Sequence, residues 1–194
     1  MLILGLTGSI GMGKSTTSRF FREAGVPVHD SDTAVHQLYE GEAVAPVEAA
    51  FPGVTVDGRI DRAKLSAQLI AHPDGIKRLE AIVHPLVRAG EAAFLARVGK
   101  TGARIAILDI PLLFETGGEA RVDAVAVVSA PADLQRRRLR ERGLDEVAID
   151  LLRSRQMPDD EKRRRAHFVI DAGTAIEATR RAVGDLLRAL AGAG

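Results

Sequence analysis

At 194 residues, with 46% apolar and 27% charged side chains, the chain has the length of one domain with room for a small insertion. Its 27 basic residues nearly balance 26 acidic ones, which excludes a strong overall field of the kind that marks nucleic-acid or membrane-surface binders. The absence of cysteine excludes a disulfide framework and a thiolate metal site, and fits a reducing compartment. The first apolar run is too short for a signal h-region, and no stretch has the length of a membrane span, so the expectation is a cytoplasmic protein.

In chain order, Leu2 to Leu6 reads as a short buried strand running into the glycine-rich stretch "GLTGSIGMGKST" (5–16). Lys14 to Ala24 carries helical spacing, with Phe20, Phe21 and Ala24 on one side and Gly25 as the stop. "VPVHDSD" (26–32) predicts a second strand, extended through its acidic residues. Residues 33 to 100 read as mostly helical, with breaks at 51–60 and 72–75. "RIAILDIPLLFE" (104–115) and "VDAVAVVSA" (122–130) predict the third and fourth strands. An arginine-rich helical stretch follows from 132 to about 165. "HFVIDAG" (167–173) predicts a fifth strand, and 174–190 a last amphipathic helix before an "AGAG" tail expected to fray. Strands alternating with helices imply an α/β fold, a five-stranded parallel sheet with helices on both faces. The core is expected at about 1–32, 101–131 and 166–190. The excursion at about 33–100 is too long for one crossover and reads as a helical insertion.

Gly8-Ser-Ile-Gly-Met-Gly-Lys14-Ser15 matches the G-x-x-x-x-G-K-[ST] phosphate loop without a gap. Backbone N–H groups that curl around a polyphosphate need conformations and close approaches that a Cβ obstructs. A helix starting near Lys14 adds its N-terminal dipole. Lys14 is expected at the β- and γ-phosphates, and Ser15 at Mg²⁺. The sequence contains no Asn, so the N-K-x-D segment of a guanine reader is absent, and the length leaves little room for a remodelling ATPase.

A small-molecule kinase also needs a base, a substrate holder and cations that close over the phosphoryl group. Asp30 and Asp32 follow the second strand, at the carboxyl edge where open α/β sheets place ligands. On an extended segment their side chains share one direction. The competing reading of Asp32 is a helix N-cap, and spacing alone leaves the two open. Asp109, ending an apolar strand, has the Walker-B position for Mg²⁺; its alternative is the start of the turn before Pro111. Arg138 and Arg142 lie four apart on one helical face of the arginine belt. Guanidinium groups there match phosphoryl oxygens, although most of the belt reads as a solvated face paired with neighbouring acids. Interspersed acids and few aromatics argue against nucleic acid as the belt's partner.

With these pieces in place, the chain resembles the dephospho-coenzyme A kinases. The resemblance runs from Leu4 to about Asp185, through "GLTGSIGMGKST", "VHDSD", "DGRIDRAKL", "LEAIVHPLVR", "DIPLLFE" and "SRQMPDDEKRRRAHFVID". It implies transfer of a phosphoryl group from ATP to the 3'-hydroxyl of dephospho-CoA, a CoA-binding helical insertion, and an arginine-bearing lid at about 132–165. By the resemblance, Gly8 and Gly11, Met12, Gly13, Lys14, Ser15 and Thr16 bind ATP phosphates, and Asp32 is the base. Arg62 and His84 fall where dephospho-CoA is expected, while Arg138, Arg142, Gln156 and Lys162 match lid positions. From the residues alone, His84 reads as a helix-packing histidine ahead of Pro85. The chain departs from the family pattern at Ala166-His167 and Asp171, both expected near the adenine end of the site. A monomer is favoured. The competing function classes are a phosphate-loop kinase of another acceptor and a nucleotide-binding module without chemistry.

Overall fold

The computed structural model describes residues 1–72 and 74–192. They form two compact units, Met1–His29 with Val98–Gly194, and Asp30–Arg97.

The first unit is built on a sheet of order β2-β5-β1-β6-β7. Its strands are β1 (Leu2–Thr7), β2 (Val28–Asp30), β5 (Ile105–Asp109), β6 (Ala124–Ser129) and β7 (Phe168–Asp171). β1 lies at the centre, parallel to β5 on one side and β6 on the other, with Leu4 opposite Ile107 and Ala124. Strands covered on both faces read as continuous apolar runs, and β6, "AVAVVS", is buried at every position. The helix α1 (Lys14–Glu23) turns Phe20 and Phe21 into the core, 2% and 0% exposed, each burial stabilising by about 1.5–3 kcal/mol. Val183 and Leu186 of α9 (Ile176–Gly192) join the same cluster. Arg180 of α9 covers the Phe20 ring at 4.2 Å and pairs with Glu23, so the exposed rim of this contact is tied by charge.

The arginine-rich stretch is divided among α6 (Ala132–Glu141), α7 (Glu146–Ser154) and α8 (Asp159–Arg165). Gly143, at φ +85°, turns the chain out of α6, and Asp145 caps α7 by accepting from Ala148 N–H at 2.8 Å. Arg136 bridges to Glu146 and Asp150 at 2.5 and 2.7 Å, so much of the belt is paired as its interspersed acids suggest. α9 includes Ala191 and Gly192 of the expected frayed tail; Ala193 and Gly194 lie outside the described residues.

The second unit contains α2 (Ser31–Leu38), α3 (Val44–Ala50), α4 (Arg62–Ala71) and most of α5 (Gly75–Gly99). The expected break at 51–60 holds an antiparallel hairpin of β3 (Thr55–Val56) and β4 (Arg59–Ile60). In the expected break at 72–75, Pro73 lies outside the described residues. Val47, Phe51, Val54, Leu65 and Val83 form this unit's own core.

The second strand is shorter than expected. Residues 26–32 were expected to be extended throughout, but β2 ends at Asp30 and α2 begins at Ser31. Asp30 is the N-cap, its carboxylate accepting from Thr33 N–H at 3.1 Å. Asp32 therefore sits in the first turn of a helix rather than beside Asp30 on an extended segment. The reading of Asp32 as the cap fails as well: Asp30 already satisfies the orphan donor.

Candidate active site

Four strand ends of the first unit deliver the site's backbone: the loop 8–13 after β1, Asp109 at the end of β5, Ser129 at the end of β6, and Asp171 with Ala172 at the end of β7. The three loop glycines answer to different constraints. Gly11 and Gly13 adopt left-handed conformations, φ +79° and +99°, which side chains resist. At Gly8 the limit is space, because a Cβ there would lie 2.6 Å from the Val128 carbonyl oxygen. Gly13 is the N-cap of α1, and Lys14, Ser15 and Thr16 form its first turn, whose N–H groups have no intrahelical acceptor.

Lys14 Nζ lies 2.7 Å from Asp109 Oδ1, with Asp109 1% exposed. Two predicted site residues are thus in direct contact, across the β1–β5 pair. The Ser15 side chain is exposed beside them and Thr16 is half-buried. The Met12 side chain is buried instead, its Sδ accepting from Ala130 N–H at 3.2 Å. The Met12 N–H lies 3.1 Å from the Ser9 carbonyl, so neither its side chain nor its backbone donor is turned to phosphate, contrary to the expectation.

Arg138 Nη2 donates to the Ala172 carbonyl at 2.7 Å and Nη1 to the Gly11 carbonyl at 3.3 Å. It joins the glycine loop to the segment after β7. Arg142, the C-cap of α6, lines with Arg138, Gly11, Gly13, Thr16 and Thr174 a cavity of about 330 Å³. The two expected arginines, the loop and the residues following Asp171 are therefore brought together. Gly173 N–H donates to Asp171 Oδ1 at 2.7 Å, so this acid shapes the cavity wall. His167 does not belong there. Its N–H and Nδ1 bond to the backbone of Val125, which the register sets level with Gly5, well below the loop. The expectation that Ala166-His167 lies near the adenine end is corrected: these residues precede β7, whereas the cavity follows it.

Further polar contacts brace this unit, one of them through Lys162, which the resemblance matches to a lid position. Gln135, 2% exposed, donates to the Ile10 carbonyl, and Asp159 accepts from Ser129 Oγ at 2.6 Å. Lys162, fully buried, lies 2.9 Å from Glu115 Oε1. Burial pushes the Glu115 carboxyl up, but the Lys162 ammonium and the N–H of Met157 outweigh it and hold it below the usual glutamate value. The last residue of "DIPLLFE" and the lysine of "DDEK" form one ion pair. Their co-occurrence in the family pattern was the available signal; nothing local distinguished Gln135.

In the second unit, Asp32, Arg62 and His84 are all exposed. Asp61 caps α4 through Ala63 and Lys64 N–H, leaving the Arg62 side chain outside the cap. Arg62 acts on Tyr39: burial pushes that phenol up, and the guanidinium partly offsets it. The helix-packing reading of His84 is not met, since its neighbour Val83 takes the core position.

Among the described residues, no cluster of three or more His, Cys, Asp or Glu side chains suits a metal on its own. Mg²⁺ asks for less, since it keeps waters and takes one or two protein oxygens plus substrate phosphates. The exposed Ser15 hydroxyl fits that demand directly, and Asp109, 1% exposed with Oδ1 held by Lys14, fits it through a bound water.

A parallel sheet with this loop between its central strand and α1, and a lysine and serine opening that helix, defines a P-loop nucleotide-binding fold. The family model for dephospho-CoA kinase, CoaE, matches residues 2–177. A dephospho-CoA kinase of Mesorhizobium japonicum is 58% identical over 99% of this chain and 98% of its own. Among solved structures, one from Thermus thermophilus superposes with a TM-score of 0.84 at 36% identity, covering 97% of both chains. The Campylobacter jejuni dephospho-CoA kinase superposes with a TM-score of 0.73 at 25% identity, covering 96% of this chain and 95% of its own. The chain belongs to the dephospho-CoA kinase family.

Proposed function

We propose that this chain transfers the γ-phosphoryl group of ATP to the ribose 3'-hydroxyl of dephospho-CoA, releasing coenzyme A and ADP. The observation that carries the reading is the ungapped phosphate loop, with Gly11 and Gly13 left-handed and Lys14 beside Asp109, in a chain that matches its family over residues 2–177.

Lys14, Ser15, Thr16 and the loop N–H groups other than those of Ile10 and Met12, which bond within the protein, receive the ATP phosphates, and Lys14 contributes a point charge toward the β- and γ-oxygens. Ser15 and Asp109 would hold Mg²⁺, which when bound neutralises charge on the phosphates. Asp32 accepts the proton of the attacking hydroxyl, a role worth about 10²- to 10⁴-fold. Arg62 and His84, exposed in the insertion assigned to the acceptor, supply polar contacts to dephospho-CoA. Arg138 and Arg142 meet the transferring phosphoryl oxygens, and the segment 132–165 excludes water from them. Among the described residues no helix is long and apolar enough to cross a membrane; our assignment to the cytoplasm rests on the reducing compartment that a chain without cysteine fits.

The test is ADP release from Mg-ATP with dephospho-CoA, AMP or shikimate as acceptor. The proposal expects ADP with dephospho-CoA alone. Release driven by another acceptor, or by none, overturns the substrate assignment.

A further inference from the structure

One residue of the phosphate loop is gripped from both sides. Ile10 N–H donates to Gln156 Oε1 at 3.0 Å, and the Ile10 carbonyl accepts from Gln135 Nε2 at 2.7 Å. Neither glutamine belongs to the loop: Gln135 is on α6, and Gln156 follows α7. Met12 N–H is likewise tied off, to the Ser9 carbonyl at 3.1 Å. The loop therefore commits the Ile10 and Met12 donors to the protein, on either side of Gly11, which with Gly13 is left-handed and gives the loop its curl.

We infer that Gln135 and Gln156 are positioning residues for nucleotide binding, a two-sided clamp on the peptide groups of Ile10 that holds the loop in its receiving shape. The inference rests on the nucleotide-binding reading above and deepens it, because it assigns part of the affinity for ATP to two side chains that act through Ile10. A segment so rich in glycine has many conformations to lose, and a loop ordered only by its ligand binds that ligand more weakly. The polarity of the clamp is fixed: the carbonyl of Ile10 accepts only from a donor, and its N–H donates only to an acceptor.

That polarity supplies the test. Q156E keeps an oxygen facing Ile10 N–H, whereas Q135E sets an oxygen against the Ile10 carbonyl. Each adds one negative charge beside the same residue, so general repulsion of phosphate is shared between them. Calorimetry with Mg-ATP on the full chain, at alkaline pH so that both new carboxyls are ionised, is expected to show Q135E binding about tenfold or more weaker than Q156E. Gln135→Met, which removes the donor without charge and at similar volume, is expected to weaken Mg-ATP in the same direction as Q135E, and serves where Q135E does not fold. Equal Mg-ATP affinities in the two glutamate variants overturn the clamp, as does wild-type affinity in Gln135→Met. Mg-ATP binding needs no acceptor, so a wrong acceptor assignment leaves this comparison intact. That failure shows separately, as wild-type protein that binds Mg-ATP and releases no ADP with dephospho-CoA.

Discussion

Asp30 and Asp32 stand two apart in the sequence and meet different demands. Asp30 satisfies the start of α2, and its neighbour's carboxylate stays exposed. If Asp32 is the base, Asp32→Asn lowers turnover by about 10²-fold or more while Mg-ATP affinity stays near wild type. Near-normal turnover in the folded variant contradicts the role. Asp30→Ala has the opposite profile: loss of the cap costs about 1 kcal/mol and appears as a lower Tm. The loop glycines separate in the same way. Gly8→Ala forces a Cβ against the Val128 carbonyl and is expected to destabilise by about 1–3 kcal/mol, read as a drop in Tm. A Gly8→Ala protein as stable as wild type would mean that the close approach at 2.6 Å is easily relieved.

At the scale of elements, the ion pair of Glu115 and Lys162 anchors α8 to the segment that leaves β5. Glu115→Gln leaves a fully buried ammonium without its counter-charge and should cost about 3–5 kcal/mol. Glu115→Gln combined with Lys162→Met removes both charges and should recover most of that loss. The pair also sets an acid response. Because the folded protein holds the Glu115 carboxyl below its ordinary value, the pair's contribution is complete at neutral pH and is lost as pH falls through that lowered value. Melting temperatures followed downward from about pH 5, past the ordinary glutamate value of about 4.3, should fall more steeply for the wild type than for the double variant. Parallel curves would remove Glu115 as the source of the slope.

At the scale of the whole molecule, the order of strands and helices in the first unit was legible because its signals are local. A continuous apolar run such as "AVAVVS" codes a strand covered on both faces, and a glycine loop followed by Lys14 and Ser15 codes the turn into α1. Capping hid the end of β2, since Asp30, Ser31 and Asp32 all favour an N-cap and only the fold decides among them. The hairpin at 55–60 is too short to show a period, although Asp57 and Gly58 at its turn, both at positive φ, are the residue types such turns require. Within the site, Lys14 with Asp109 and Arg138 with Gly11 lie 95 and 127 residues apart, so motif position suggested each member but not the contact. His167 was misplaced because adjacency to Asp171 in sequence says nothing of which end of a strand a residue occupies.

The central claim is that the phosphoryl group passes to the ribose 3'-hydroxyl of dephospho-CoA, and the direct measurement is the position of the new phosphate. Protein incubated with Mg-ATP carrying ¹⁸O in its γ-phosphoryl group, together with dephospho-CoA, should yield a product heavier by one labelled phosphoryl group. Phosphorus NMR coupling should place that group as a monoester on the 3'-oxygen, with one ADP formed per product. A labelled phosphate on any other oxygen, or recovery of the label as free phosphate with dephospho-CoA unchanged, would contradict the account.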